Sequence, residues 1–223
     1  MKKVVLMAAL LTPAMVLADG FNGPYVGGAL DYSSMKDKGT AYDQATRQKD
    51  GWTQETRPKG FGLGVLGGYN WTSGRAVVGV EADYDLRHGS NSSYQKLDGV
   101  TDTDFAGKTS MQAAASLRAR VGYLFSNQSQ VFATAGYGAA KARRTYYDYT
   151  LLPGKESHSS WHGGWTAGFG VESLMTRNVA MRLEYRYANY GRDKVTVNSL
   201  SWDEYYKQRL TENSIRLGAS YQF

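Results

Sequence analysis

Apolar and polar residues alternate one by one at the end of the chain, over positions 213–223. A period of two predicts a β-strand with one apolar face and one polar face. The apolar positions are Ile215, Leu217, Ala219, Tyr221 and Phe223. Such a strand at an open sheet edge would recruit other chains, whereas a strand that closes a ring has no free edge. This stretch therefore favours a closed barrel, provided that the rest of the chain repeats its pattern.

Seven earlier segments repeat the alternation, each with its apolar residues on one parity. The predicted strands are 26–32, 61–71, 76–86, 111–123, 131–139, 161–172 and 179–187. The segment 131–139 has the weakest pattern. Leu66, Val77 and Phe132 are apolar residues on a polar parity. We attribute these three residues to packing inside the barrel or to a local shift of register.

The connections between these segments alternate in length. Three are tight polar turns of hairpin type, at 72–74, 126–129 and 176–178, and four are long and polar, at 33–59, 87–108, 143–160 and 191–209. Short turns at one end and long loops at the other are typical of outer-membrane barrels. We therefore predict an all-β fold, an eight-stranded antiparallel up-and-down transmembrane β-barrel. It has short periplasmic turns, four long extracellular loops and both termini at the short-turn end.

Aromatic residues near the predicted strand ends support a membrane location. The candidate aromatic girdle consists of Tyr69, Trp71, Tyr123, Trp161, Tyr185 and Tyr187. Such rings favour the boundary between lipid and water. The alternative is a soluble β-sandwich or lipocalin-like barrel with the apolar faces turned inward. It would need a core for large apolar groups on every strand while glycine lined the outside, so it is the less favoured fold.

Composition adds limits to this picture. The 223 residues suffice for one domain, and the absence of cysteine excludes disulfides and thiolate metal sites. The formal net charge of +6 is spread along the chain among acidic residues, which predicts no nucleic-acid surface. The mean hydropathy of -0.48 alone suggests a soluble protein. Alternating barrel strands dilute that signal, however, so hydropathy does not decide the location.

The N-terminus has the layout of a secretory signal peptide. Lys2 and Lys3 form a basic head, an apolar run covers 4–11, and small or modest residues lead to Ala18. We predict cleavage after Ala18, so that residues 1–18 are the signal peptide and residues 19–223 the barrel domain. The alternative is a membrane anchor or a buried helix.

The polar parities of the strands carry both signs of charge. The candidate lumen network consists of Asp31, Glu81, Asp83, Arg118, Arg120, Glu172, Arg182, Glu184, Arg186 and Arg216. Buried charges are tolerated when they are paired, and a guanidinium can hold two carboxylate oxygens. Eight strands enclose a space that side chains just fill. We therefore predict a plugged lumen, the alternative for each charge being a wall residue in contact with water.

Short glycine-aromatic motifs carry a resemblance to a known family. They are Gly-Pro-Tyr-Val-Gly-Gly at 23–28, Gly-Tyr-Asn at 68–70, and Leu-Gly-Ala-Ser-Tyr-Gln-Phe at 217–223. The chain resembles the small outer-membrane β-barrel proteins of Gram-negative bacteria, the opacity-protein and OmpA-like families. The resemblance implies a surface antigen, an adhesin or an envelope-stabilising protein. It also implies that the terminal strand with Tyr221 and Phe223 is an assembly signal for the barrel-assembly machinery.

One set of residues is compatible with catalysis. His158, Ser160 and Glu172 resemble the residues of outer-membrane lipid A deacylases. A nucleophile must lie within hydrogen-bond reach of its base. Ser160 and Glu172 are twelve positions apart on one predicted strand, about 40 Å at ~3.3 Å per residue, and His158 falls in a predicted loop. We expect neither this triad nor a metal site at His158 and His162.

The predicted function is therefore structural: a surface protein of the outer membrane that contributes to envelope integrity and to loop-mediated interaction or adhesion, with no cofactor and no enzymatic activity. The expected partners are outer-membrane lipid, lipopolysaccharide, the barrel-assembly machinery and a host or surface ligand, and the protein is expected to be a monomer. The candidate residues for lipopolysaccharide phosphates are Lys36, Lys38, Arg192 and Lys194. A narrow porin-like channel is the second hypothesis, and a lipid A-modifying enzyme is the third.

Overall fold

Nine antiparallel β-strands occupy the part of the chain that this computed structural model describes, residues 20–150, 154–196 and 204–223. The strands are β1 (Gly23–Asp43), β2 (Lys49–Thr56), β3 (Lys59–Ser73), β4 (Ala76–Leu97), β5 (Val100–Ser126), β6 (Ser129–Asp148), β7 (Gly154–Leu174), β8 (Val179–Thr196) and β9 (Glu204–Gln222). The signal-peptide prediction, including Ala18, lies outside the described residues. Within those residues, no helix is both long and apolar enough to span a membrane.

Eight of these strands form a closed ring in the order β1-β3-β4-β5-β6-β7-β8-β9, because β9 pairs back onto β1 from Tyr25↔Gln222 to Asp43↔Glu204. The closing strand is the C-terminal one, whose alternation predicted a ring. Every neighbouring pair is antiparallel. The prediction of an eight-stranded up-and-down barrel is confirmed.

β2 was not predicted, and it continues the wall that β3 begins. Along β1, the partner changes from β3 at Ser34↔Lys59 to β2 at Asp37↔Thr56. The break falls at Pro58, which lacks an N–H for strand pairing. Its carbonyl still accepts a hydrogen bond from the backbone N–H of Met35 at 2.9 Å. The ring therefore keeps its wall at this height, with β2 in the place of β3.

The prediction of four long loops is wrong over most of their length. Much of 33–59, 87–108, 143–160 and 191–209 is strand, and between β4 and β5 only Asp98 and Gly99 remain as a turn. Residues 151–153 and 197–203 lie outside the described part of the chain. Backbone pairing continues beyond the apolar band, where both faces of the hairpins carry polar residues. The alternation of apolar and polar residues on the outer face ends there, so the hydrophobic pattern does not identify these parts of the strands.

The three short turns are confirmed, with the strand ends paired at Ser73↔Ala76 and Ser126↔Ser129 and the third turn between β7 and β8. The described chain begins and ends at this end, since β1 begins and β9 ends there. We call the opposite end of the barrel the hairpin end. Gly74 suits its turn because it has a φ of 58°.

The apolar parity faces outward on every ring strand. Leu30, Leu63 and Leu217 keep 60%, 63% and 50% of their surface exposed, whereas the residues beside them point into the barrel. Leu66, Val77 and Phe132 are buried. β3 and β4 pair without interruption around Leu66 and Val77, and β6 and β7 do so around Phe132. Packing inside the barrel therefore explains these three exceptions, and a register shift does not.

Candidate functional site

All ten residues of the predicted lumen network are buried inside the barrel. At its centre, Arg118 on β5 donates to Glu81 on β4 at 2.5 Å and to Glu184 on β8. The same guanidinium lies 3.2 Å from Asp83, and Glu81 also accepts a hydrogen bond from Arg182. Because β6 and β7 separate β5 from β8 in the ring, the Arg118–Glu184 contact crosses the lumen.

Asp83 is the second centre of the network. Its Oδ1 accepts hydrogen bonds from Arg186 and Arg216, each at 3.0 Å, and its Oδ2 accepts one from Ser116 at 2.5 Å. Arg216 donates its other terminal nitrogen to Asp85 at 2.7 Å. Since β3 and β1 stand between β4 and β9, Arg216 also joins strands that are not neighbours.

A third group lies closer to the short turns. Arg120 pairs with Glu172, and its guanidinium carbon lies 4.0 Å from the centre of the Phe132 ring. The Tyr25 hydroxyl donates to Glu81 at 2.7 Å. These contacts give the buried cation both a counter-ion and an aromatic face, the two environments that favour a desolvated guanidinium.

The candidate set missed a fourth group, formed by Arg87, Asp85, Glu212 and Tyr190. Arg87 donates to Glu212, which accepts a hydrogen bond from the Tyr190 hydroxyl at 3.0 Å, and Arg87 lies 3.6 Å from Asp31. Asp85 was visible on the polar parity of segment 76–86. Arg87 and Glu212 continue inward parities, but they fell beside or beyond the segments used to select the set.

The interior changes character towards the hairpin end. An apolar layer comes first, formed by Met35, Met111, Ala114, Ala140, Ala142, Ala188, Tyr190 and Leu210. Above it, Arg144 donates to both carboxylate oxygens of Asp37, at 2.7 and 3.1 Å. Tyr146 and Tyr206 pack together higher still, with ring centres 5.5 Å apart. The described lumen side chains are therefore arranged in successive ionic and apolar layers.

Two glycines on the inner face of β3 provide room for this network. A Cβ at Gly62 would lie 1.8 Å from a carboxylate oxygen of Asp31, and a Cβ at Gly64 would lie 1.9 Å from one of Asp85. The carboxylates therefore occupy the space of missing side chains. This explains why the polar parity of β3 is rich in glycine.

Gly64→Ala is expected to lower the free energy of unfolding by about 1–3 kcal/mol, because Asp85 must leave its position against Arg216. Urea unfolding in lipid vesicles measures the change. Gly28→Ala is the matched control, since that glycine faces outward and a Cβ there would make only an ordinary contact at 3.5 Å. Equal stability of the two variants would contradict the close-packing interpretation.

The six girdle candidates point outward at two heights. Tyr69, Trp71 and Tyr123 lie within a few residues of the short turns. Trp161, Tyr185 and Tyr187 do not lie near strand ends as expected, because β7 and β8 continue beyond them into the hairpins. At the chain terminus, Tyr221 and Phe223 form an edge-on ring pair 5.1 Å apart.

The catalytic candidates do not come together. His158 lies within β7, not in a loop as expected, and its Nε2 is 2.5 Å from Glu156. Ser160 lies 2.9 Å from Nε2 of His162, but Arg144 is 3.0 Å from the same nitrogen. An arginine only donates, so Nε2 accepts from it and is a poor base for Ser160.

Glu172 pairs with Arg120 and Gln130 deep in the lumen. It takes no part in the group around Ser160. Among the described residues there is also no cluster of three or more metal-ligating His, Cys, Asp or Glu side chains.

Residues 4–223 match the profile of a family described as the outer membrane protein beta-barrel domain. The chain is 31% identical over 206 residues to a 22 kDa outer membrane protein of Rhizobium leguminosarum bv. viciae, covering 92% of this chain and 80% of that protein. It is 26% identical over 220 residues to the 31 kDa outer-membrane immunogenic protein of Brucella melitensis biotype 1, covering 95% and 88%.

Among solved structures, OprG from Pseudomonas aeruginosa aligns with 93% of this chain and 99% of its own, at a TM-score of 0.57 and 13% identity. This likeness concerns the fold alone. The relatives in Rhizobium and Brucella are named for the outer membrane, and the resemblance stated from the sequence motifs is confirmed. The chain therefore belongs to the outer membrane protein beta-barrel domain family, and its place is the outer membrane of a Gram-negative bacterium.

Proposed function

We propose that this protein is a structural and surface-display component of the outer membrane, with a lumen closed by its own side chains. The observation that carries the proposal is the set of ion pairs that cross the lumen. Arg118 joins β5 to β8, and Arg216 joins β9 to β4. Contacts between strands on different sides of the ring both stiffen the barrel and fill its cross-section.

The network also explains why a barrel of this size does not need an apolar core. The outer face gains its stability from lipid, so the inner face is free to be polar if each charge is compensated. Arg186 and Arg216 share Asp83, and Arg118 and Arg182 share Glu81. Shared partners restrain several strands at once, which suits a role in envelope integrity.

The long hairpins support the surface-display part of the proposal. Val100 and Tyr149, near the hairpin ends, keep 72% and 53% of their surface exposed. Exposed apolar groups outside the lipid-facing band are contacts available to a host or surface ligand. The Brucella relative is named an immunogenic protein, and surface hairpins in this chain would be similarly accessible.

Export and assembly complete the proposal. Residues 1–18 are removed as a signal peptide after Ala18, and residues 19–223 insert as a monomeric barrel. The pair Tyr221 and Phe223 ends the closing strand and serves as the signal for the barrel-assembly machinery. No catalytic role is assigned, because Ser160 faces a histidine nitrogen that is engaged by Arg144.

The second hypothesis, a narrow channel, predicts that the folded protein conducts ions across a bilayer, whereas a closed lumen predicts that it does not. We expect the folded wild-type protein to give no steady conductance in a planar bilayer, because the proposed plug of ionic and apolar layers would block a continuous water path. Glu81→Ala and Arg182→Ala are the informative variants, and Arg143→Ala, on the exposed face of β6, is the control. A steady wild-type pore whose conductance changes in the two lumen variants would overturn the plugged lumen and favour the channel.

A further inference from the structure

The outer wall of β8, β9 and β1 carries a row of cations with the same charge side by side. Arg192 on β8 is directly opposite Arg209 on β9, and Arg209 is directly opposite Lys38 on β1. One step towards the hairpin end, Lys207 on β9 is opposite Lys194 on β8. All these side chains are exposed on the outer face. Like charges in directly opposed positions destabilise a sheet, so the row has a cost that a bound anion would relieve.

Glu55 on β2 is directly opposite Lys38, but its carboxylate pairs with other cations. It forms ion pairs with Arg57 at 2.6 Å and with Lys36 at 3.4 Å. Burial alone raises the pKa of the Glu55 carboxyl, but the hydrogen bond from Arg57 and the charge of Lys36 outweigh burial and lower that pKa. Lys36 is therefore already engaged, and it is a weaker anion ligand than the sequence suggested.

Aromatic rings hold the upper cations in place. Tyr42 and Tyr205 stack with ring centres 5.5 Å apart, and Nζ of Lys207 lies 4.3 Å from the centre of the Tyr42 ring. Tyr42 and cations of the row border a shallow depression of about 340 Å³. The described residues that line it are Lys38, Thr40, Tyr42, Lys49, Arg192, Lys207 and Arg209, and none of these carries a carboxylate.

The height of the row indicates which anion reaches it. The continuous apolar run on the outer face of β1 ends at Tyr32, because Ser34 and Lys36 follow on that face, and Lys38 is six positions beyond Tyr32. Six residues at ~3.3 Å each, tilted by ~45°, rise about 14 Å. The headgroup region of a bilayer extends ~5–7 Å beyond the hydrocarbon on each side. The row therefore stands beside the saccharide layer, just outside the lipid headgroups.

A polar recess adjoins the row on its other side. β3 pairs with β4 up to Gly60↔Gly89, and β2 pairs with β4 only at Trp52↔Leu97 and Thr53↔Lys96, so the wall between them opens. The recess is about 520 Å³ and is lined by Lys38, Thr53, Gln54, Glu55, Arg57, Asn91, Ser93, Tyr94 and Lys96. Hydroxyl, amide and aromatic groups in one recess suit a sugar ring. Lys38 belongs to both the recess and the row.

We propose that this face, Lys38, Lys49, Arg192, Lys207 and Arg209, binds phosphate groups on the saccharide of lipopolysaccharide in the same leaflet. The inference rests on the proposed surface role and names the partner of that surface. Arginine and lysine form charge-assisted hydrogen bonds with phosphate oxygens, and arginine does so in a bidentate manner. A ligand anchored in the same leaflet reaches a side wall, whereas a soluble ligand approaches the hairpin ends first.

The test compares lipopolysaccharide binding by two charge-matched sets of variants of the full-length barrel in detergent micelles. Lys38→Gln/Arg192→Gln/Arg209→Gln removes three cations of the row, and Lys108→Gln/Lys141→Gln/Arg143→Gln is the control on β5 and β6, across the ring. We expect the row variant to bind lipopolysaccharide at least about tenfold more weakly at low salt, since each phosphate contact contributes a factor of a few. The control is expected to stay within about twofold of wild type.

Three arms decide the source of the anion. Dephosphorylated lipopolysaccharide is expected to bind the wild-type protein weakly, with the same affinity as intact lipopolysaccharide has for the row variant. Inorganic phosphate is expected to compete with intact lipopolysaccharide for the wild-type protein only at millimolar concentration. Equal affinity of wild type and the row variant for intact lipopolysaccharide would overturn the proposal. Heat-shifted gel mobility verifies that each variant is folded. Lys38→Arg provides a second variant that should retain binding.

Failure of this proposal is distinguishable from failure of the proposed function. Loss of the anion site leaves the lumen layers intact, so the bilayer conductance of the row variant is expected to equal that of wild type. A conducting wild-type protein would contradict the plugged lumen and leave the lipopolysaccharide result unchanged.

Discussion

Replacing Arg118 with methionine is expected to lower the free energy of unfolding by about 3–5 kcal/mol, because it leaves buried carboxylates without their shared cation. Arg118 is 2% exposed and contacts Glu81, Asp83 and Glu184. Methionine keeps an unbranched apolar chain in place of the aliphatic part of arginine, so the change removes the guanidinium with its charge and hydrogen bonds. Urea unfolding in phospholipid vesicles, followed by tryptophan fluorescence, measures the loss.

A double-mutant cycle separates the ion pair from simple packing. Adding Glu184→Gln to Arg118→Met removes one of the stranded charges, so the double variant is expected to be more stable than the sum of the single effects implies. Arg143→Met, the same substitution on the exposed face of β6, is expected to change stability by less than about 0.5 kcal/mol. An Arg118→Met protein as stable as Arg143→Met would show that the lumen charges are solvated wall residues.

The sequence was sufficient to predict the eight-stranded ring, but it did not predict how far the strands extend beyond the apolar band. The alternation in 213–223 and the seven earlier segments correctly assigned the outward and inward faces, because lipid requires a continuous apolar band on one parity. Above that band the requirement ends. β4 and β5 extend to Leu97 and from Val100 with polar residues on their outer face, so period-two hydrophobicity no longer marks them. The strand β2 was not predicted for the same reason.

The ion pairs could not be predicted from the pattern, even though their members could. Arg216 meets Asp83 and Asp85 across the lumen, and nothing in the spacing along the chain specifies how far each strand is staggered against its neighbour. Arg87 and Arg144 were placed in loops, so their pairing with Glu212 and Asp37 was not considered. The pattern therefore determines which charges face inward, whereas the stagger determines which of them meet.

The second large effect concerns the outer face, where Val65→Arg is expected to cost about 2–4 kcal/mol of unfolding free energy. Val65 faces outward near the middle of the apolar band on β3 and is 63% exposed. On a surface in contact with water, such an exposed valine would tolerate arginine with a change below about 0.5 kcal/mol. Facing hydrocarbon, the guanidinium loses its hydration, so the barrel is destabilised.

Val100→Arg is the matched control, since it introduces the same side chain in place of the same residue at a position that is 72% exposed. Val100 begins β5 at the hairpin end, where water surrounds it, so its substitution is expected to be nearly neutral. The exposed fractions of Val65 and Val100 are similar, so exposure alone predicts the same effect for both substitutions. The two positions differ in what surrounds them, which is lipid at Val65 and water at Val100. Equal urea midpoints for the two variants in lipid vesicles would mean that the apolar rows do not face lipid.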